Sequence, residues 1–156
     1  MNYYEYLSYD ALGLAELIRT KQITSSELLE ITIELTEKID PLINAIPIKH
    51  YDLAREHAKN SKDNGLFFGV PFLLKDLHAS LKGTITSDGS RLNEKNLAGL
   101  TDTLTQRCLD AGLVIFGKTN SPTPSNDVLT LNLSSLLTTF KGNVAIEKDL
   151  DVDGHT

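Results

Sequence analysis

Gly69-Val70-Pro71-Phe72-Leu73-Leu74-Lys75-Asp76 is the stretch on which the fold of this chain turns: an apolar run that ends in a lysine and an aspartate. Val70 to Leu74 carry almost no polar side chains, which predicts a strand covered on both faces. Pro71 is compatible with that reading, because a residue at the start of a strand can lack the ladder N–H. A lysine that closes such a strand has two possible fates. It reaches solvent, the ordinary outcome, or it lies in a desolvated pocket where burial favours the neutral amine and makes a usable base. The remainder of the chain decides how to weigh the two.

Working outward, 156 residues suffice for one domain with a real core but not comfortably for two. Hydrophobic residues at 40% and charged residues at 23% predict a folded globular chain. Fifteen Lys and Arg against 21 Asp and Glu give a formal net charge of −6. With no basic cluster, this removes the main electrostatic term for nucleic-acid binding and disfavours an acidic membrane surface. Cys108 is the single cysteine, the first ten residues lack a signal-peptide pattern, and no apolar run approaches a membrane span. A cytoplasmic protein is expected.

Upstream of the strand, Asp10 is placed to cap a helix with Ala11, Leu14, Ala15 and Ile18 on one stripe. Thr24 and Glu27 form a capping-box pattern, and Ile23 with Leu28 a hydrophobic staple. That helix is predicted to reach about Ile39, with Leu28, Ile31, Leu35 and Ile39 as its apolar face, and to stop at Asp40-Pro41. The Ser25-Ser26 pair then belongs to a helix N-terminus and is no nucleophile. Asn44-Ala45-Ile46 reads as a short strand, and Tyr51 to about Asn64 as a third helix closed by Gly65.

Downstream, Gly83 to Gly89 reads as a loop or short hairpin. Thr101 or Asp102 then caps a helix with Leu104, Cys108 and Ala111 on one side, Gly112 ends it, and Leu113 to Phe116 follow as a buried strand. Strand, helix, strand implies a parallel, right-handed unit. After Pro122 the apolar pattern loses its period and the end turns acidic, so 123–156 is expected to be a divergent, poorly ordered tail on a domain of 1–122.

Three further patterns bear on chemistry. Gly112 to Thr119 satisfies the letters of a phosphate-binding loop, G-x-x-x-x-G-K-T, but its middle residues are strand formers and Ser121-Pro122-Thr123-Pro124 obstructs the helix that should follow. Asp149, Asp151, Asp153 and Gly154 match only the first half of an EF-hand loop. His50, His57, His78 and His155 lack zinc-site spacing, so no metal is assigned. No Gly-x-Ser-x-Gly elbow is present, although Ser90 follows the Gly-containing loop after Lys75 and could approach it.

Three runs together resemble the N-terminal part of the amidase-signature hydrolases: Gly69 to Asp76, Gly89-Ser90-Arg91, and Asp110 to Pro122. With the opening helices the resemblance covers about residues 10 to 122, and Phe72 to Leu77 is most similar to the branch containing 6-aminohexanoate-cyclic-dimer hydrolases. The resemblance implies an α/β fold, a mixed sheet flanked by helices. It also implies hydrolysis of a carboxylic amide by a Ser, cis-Ser and Lys triad without metal or organic cofactor. Lys75 matches the family's catalytic lysine, which takes a proton from the nucleophilic serine through the cis-serine and later supports protonation of the leaving amine. The family's Gly/Ser-rich segment, with both serines and the oxyanion-hole backbone, has no counterpart after Pro122. Ser134-Ser135, without flanking glycines, is no substitute. The expectation is therefore a truncated amidase-like chain with only the lysine end of the site. The alternatives are a catalytically silent remnant or binding fragment that offers an exposed sheet edge to a protein partner, and, third, a nucleotide-binding module.

Overall fold

The computed structural model describes residues 1, 3–60 and 65–121. By contacts the chain divides into Met1–Ser121 and Pro122–Thr156. The expectations placed on 123–156, on Asp149 to Gly154 and on His155 lie outside the described residues.

After a short helix α1 (Tyr3–Leu7), α2 spans Ala11–Arg19. The Asp10 carboxylate accepts from the Gly13 N–H at 2.7 Å, the N-cap bond its position predicts. Leu14, Ala15, Leu17 and Ile18 are buried, while Ala11 is exposed. The predicted stripe holds at Leu14, Ala15 and Ile18, Leu17 joins it, and Ala11 lies outside it. In α3 (Ser25–Ile43) the capping box is present: the Glu27 N–H donates to Thr24 Oγ1 at 3.1 Å, and the Thr24 N–H to the Glu27 carboxylate at 2.8 Å. Ile23 and Leu28 are both buried.

This helix differs from its sequence reading in two ways. It runs through Pro41 to Ile43, and the chain beyond it is tied back to the last turn by the Asp40 carboxylate, which accepts from the Ala45 and Ile46 N–H groups at 2.8 and 2.9 Å. Asn44, at φ 49°, then closes the helix in the left-handed region. Its buried face is Ser25, Leu28, Leu29, Thr32, Ile33, Thr36 and Asp40, with Ile39 exposed. Polar residues could occupy that stripe because they find partners: Ser25 donates to the Gly69 carbonyl at 3.0 Å and Thr32 to Leu28 O at 2.9 Å.

The short strand expected at 44–46 lies slightly later, as β1 (Ile48–Lys49). It is followed by α4 (Tyr51–Asn60), whose predicted continuation to Asn64 falls on residues outside the description. The organising strand is β2 (Pro71–Lys75), and after the 3-10 turn Arg91–Asn93 come α5 (Thr103–Asp110) and β3 (Val114–Thr119). Asp102 caps α5 by accepting from the Thr105 N–H at 2.8 Å. Here too the buried side is shifted: Thr105 is buried, Cys108 and Leu109 are half-buried, and Leu104 is exposed. Gly83 to Gly89 forms a loop with one isolated bridge, Ile85 to Leu97.

The described sheet is mixed, in the order β1-β3-β2, with β1 antiparallel and β2 parallel to β3. The fully buried strand is therefore β3. β2 lies at an edge, with Phe72 37% exposed, so the expectation that it is covered on both faces is not met within the described residues. Leu29 and Ile33 of α3 and Ala54 and Ala58 of α4 pack with Val114 and Phe116. Leu74 and Ile115 pack instead with Ala79, Leu81 and, from α5, Leu109. The sheet is sandwiched between these groups. A third cluster joins α2, Leu28, Val70 and Leu113. Each buried leucine or isoleucine contributes about 1.5–3 kcal/mol.

Two glycines make the approach to β2 and β3 possible. A Cβ on Gly65 would lie 2.2 Å from the Ala111 carbonyl, and one on Gly112 (φ +89°) would lie 2.7 Å from Phe68 Cα. The closeness lets the Phe67 N–H donate to Ala111 O at 2.9 Å and the Gly69 N–H to Gly112 O at 2.8 Å, which aligns both strands before they pair.

Candidate active site

Because β2 and β3 are parallel, their C-terminal ends emerge at the same edge of the sheet. In register, Leu74 lies opposite Lys118 and Lys75 opposite Thr119. The pairing extends one residue further, with the Asp76 N–H donating to Thr119 O at 3.0 Å. Parallel strand ends of this kind are where α/β proteins place ligands. Two lysines thus leave neighbouring strands one step apart, and the structure treats them in opposite ways.

Lys75 is exposed. Lys118 is 0% exposed and Asp76 1%. Lys118 Nζ lies 3.7 Å from Asp76 Oδ1 and donates to Thr86 Oγ1 at 2.6 Å. The Ser87 N–H donates to Asp76 Oδ1 at 3.0 Å, and the Ser87 hydroxyl donates to the other carboxylate oxygen. Removing two charges from water is costly, and this pair tolerates it because nearby hydroxyl and amide groups share the desolvated atoms. The result is a polar bolt that ties the end of β2 to β3 and holds the 84–87 loop over both. Burial pushes the Lys118 amine below the ordinary lysine value, and the Asp76 charge opposes that shift.

His50 follows β1 and borders this group. Its N–H donates to Phe116 O at 2.9 Å, while its Nε2 is buried without a hydrogen-bond partner. Burial first, and the Lys118 charge second, push its pKa down to about 4, against the opposing attraction of Asp76. The ring is neutral at pH 7. A cleft of about 570 Å³ opens beside the bolt, with Asp76, Ser87, Ser90, Arg91, Lys49 and Asn120 among its lining residues. Lys49 is held at the rim by Glu37 at 2.7 Å and Asp40 at 3.6 Å. A second cleft, about 490 Å³, lies between the N-terminal residues and α3, and neither Lys75 nor Lys118 is among the residues that line either cleft.

The structure brings together residues that the sequence reading had kept apart. Lys75 is the last residue of β2, and it is exposed. Ser90 caps the 3-10 turn, its Oγ accepting from the Leu92 N–H at 3.3 Å. Gly112 to Thr119, with the letters of a phosphate loop, is a turn followed by the fully buried strand, and its lysine is committed to Asp76 and Thr86. The Asp76–Lys118–Thr86 bolt is not among the residues that the sequence patterns single out. Its signal was available in the charged residues that end two apolar strands, Leu74-Lys75-Asp76 and Phe116-Gly117-Lys118, since a charge there is either solvated or paired. Among the described residues no group of three or more His, Cys, Asp and Glu is gathered to hold a metal, and no helix is long and apolar enough to cross a membrane.

Comparison with known proteins identifies the family of this fold. The family model described as Amidase matches residues 27–137. The lipoamidase of Enterococcus faecalis is 39% identical over 119 residues, which cover 76% of this chain and 16% of that protein. The 6-aminohexanoate-cyclic-dimer hydrolase of Paenarthrobacter ureafaciens is 40% identical over 123 residues, 78% of this chain and 24% of that one. The solved structure of a 6-aminohexanoate cyclic dimer hydrolase complexed with substrate superposes with a TM-score of 0.68 at 37% identity, over 73% of this chain and 24% of its own. The chain therefore spans about a sixth to a quarter of the length of these relatives. With a family match over most of its length and a mixed sheet that superposes on theirs, this chain belongs to the amidase signature family.

Proposed function

We propose that this chain carries the lysine end of an amide-hydrolysing site, with Lys75 as its base, and that the 156-residue chain by itself is catalytically silent. The observation that supports this most is the placement of Lys75. It is the last residue of a strand parallel to β3, and the adjacent Asp76 is locked into the buried bolt, so the backbone that presents the amine is fixed. In the proposed chemistry a neutral lysine accepts the proton of a cis-serine as that serine takes the proton of the nucleophilic serine, whose oxygen adds to the amide carbonyl. Collapse of the tetrahedral adduct breaks the C–N bond as the proton returns to the leaving amine, and water then releases the acid from the acyl-enzyme. The substrate is a small carboxylic amide, without metal or organic cofactor, in a cytoplasmic setting. Silence of the chain alone follows from chemistry it lacks: no Gly/Ser-rich segment supplies the two serines and the oxyanion donors, and a base acting alone gives little of the acceleration of the unit.

Two measurements test this. The purified chain should hydrolyse short-chain amides no faster than its Lys75→Ala variant. Turnover that is lost on Lys75→Ala and also on Ser90→Ala or Ser134→Ala would show that a local serine completes the site. A chimera in which residues 27–121 replace the matching segment of the Paenarthrobacter hydrolase should be active and lose at least a hundredfold in kcat on Lys75→Ala. An active chimera indifferent to that change would remove Lys75 from the mechanism.

A further inference from the structure

The cleft of about 570 Å³ beside the bolt has the size of a small-molecule site, and both of its walls are pinned. On one wall the Ser87 N–H is anchored on the Asp76 carboxylate at 3.0 Å, the Ser90 N–H on Ser87 O at 2.9 Å and the Asn93 N–H on Ser90 O at 3.0 Å, so the 3-10 turn Arg91–Asn93 hangs from the bolt. On the other, the Asn120 N–H donates to Ala45 O at 2.7 Å and its side-chain amide to Asn44 O, which ties the end of β3 to the segment after α3. Walls held in this way are in place before a ligand arrives. The charged side chains that line the cleft are of two kinds. Lys49 is held by Glu37 and Asp40, and Asp76 by Ser87 and Lys118. Arg91 and Glu94 are exposed, and neither side chain has a hydrogen bond or ion pair among the described residues. They are three residues apart across a 3-10 turn, where side chains at i and i+3 eclipse, so opposite charges stand side by side without pairing.

We infer that this cleft binds a small zwitterion of the α-amino-acid type, with its carboxylate on the Arg91 guanidinium, its ammonium on the Glu94 carboxylate, and an apolar side chain against Ile48 and Ile85, which line the same cleft. A guanidinium meets a carboxylate with two parallel N–H bonds, and the Glu94 oxygens accept from the ammonium. A simple anion on Arg91 is repelled by Glu94, and a simple cation on Glu94 is repelled by Arg91. A molecule that carries both charges satisfies both groups at once. Binding here is independent of the role given to Lys75, which does not line the cleft.

The experiment is an NMR titration of the amide signals of the full 156-residue chain with L-leucine, beside 4-methylpentanoate, which lacks the ammonium, and leucinol, which lacks the carboxylate. Saturable shifts are expected at Ser87, Gly89, Arg91, Glu94 and Asn120, with leucine held about fivefold more tightly than either analogue, the worth of one exposed ion pair. Arg91→Gln should weaken leucine about fivefold and leave leucinol no weaker, whereas Glu94→Gln should weaken leucine as much and leave 4-methylpentanoate no weaker. The exchanged variant Arg91→Glu/Glu94→Arg should recover most of the affinity, because the ligand can turn end for end. All three variants alter exposed side chains and should fold as the wild type does, which circular dichroism checks. The inference is overturned by the absence of saturable shifts at the cleft, by equal affinity for leucine and both analogues, or by leucine binding that neither single substitution weakens. Failure of the exchanged variant to bind leucine better than the single variants overturns the pairing of the two charges with the two ends of the ligand.

Discussion

Removing the buried cation is the sharpest test of the Asp76–Lys118 bolt. Lys118→Met keeps the length and the apolar stem but deletes the charge, leaving a carboxylate 1% exposed with only the Ser87 N–H and hydroxyl as donors. Breaking one side of a buried pair costs about 3–5 kcal/mol; because the Ser87 donors remain, the lower end, about 3 kcal/mol, is expected. For a unit of this size that corresponds to a drop of roughly 10–15 °C in Tm. Equilibrium urea unfolding followed by circular dichroism measures it. The double variant Asp76→Asn/Lys118→Met removes both charges and should recover at least half of the loss, since no uncompensated charge stays buried. Lys75→Ala, on an exposed side chain one strand away, should change stability by no more than about 0.5 kcal/mol. A loss under about 1 kcal/mol for Lys118→Met, or a double variant as costly as the sum of the singles, would refute the claim that this pair holds the strand ends together.

Three other outcomes follow from the geometry. Gly112→Ala should cost roughly 3 kcal/mol or more in urea unfolding, combining a side chain at φ +89° with a Cβ 2.7 Å from Phe68 Cα. Thr24→Ala removes the capping box of α3 and should cost about 1 kcal/mol in the same assay. His50 has a folded pKa of about 4 against an ordinary 6.5, so its contribution to stability is complete above pH 6.5 and is lost as pH falls from there toward 4. After discounting for its partial exposure the loss is about 1–2 kcal/mol, and an NMR titration should show its midpoint rising in Lys118→Met, where the repelling cation is gone.

The parts of the fold set by local chemistry were legible in the sequence. Asp10, Thr24 with Glu27, and Asp102 each cap the helix their spacing assigns, because a capping bond spans only a few residues of chain. The parallel pairing of β2 with β3 was legible too, as the intervening helix leaves little alternative. What escaped depended on tertiary contacts. The buried face of α3 includes Ser25, Thr32 and Asp40, which an apolar-stripe reading cannot select, since their burial depends on partners such as the Gly69 carbonyl, 44 residues away. The helix passes Pro41, which local pattern marks as a stop, and the bonds that tie its end, from the Ala45 and Ile46 N–H groups to the Asp40 carboxylate, exist only once 45 and 46 have folded back upon it.

The same limit applies to the two lysines. By local pattern Lys75 and Lys118 are alike, each following an apolar run at the end of a strand. What separates them is sheet order: β3 is flanked on both sides, so its lysine has no path to water, whereas β2 is an edge among the described residues and its lysine has one. A permanently buried, paired lysine is poorly suited to be a base that must exchange protons with a substrate at each turnover, because its carboxylate partner and its Thr86 bond hold it in one state. An exposed lysine on a fixed backbone is suited to that work once a second surface closes over it and excludes water. The bolt and the base are then complementary: Lys118 spends its charge on holding Asp76, and Asp76 holds in place the residue that presents Lys75.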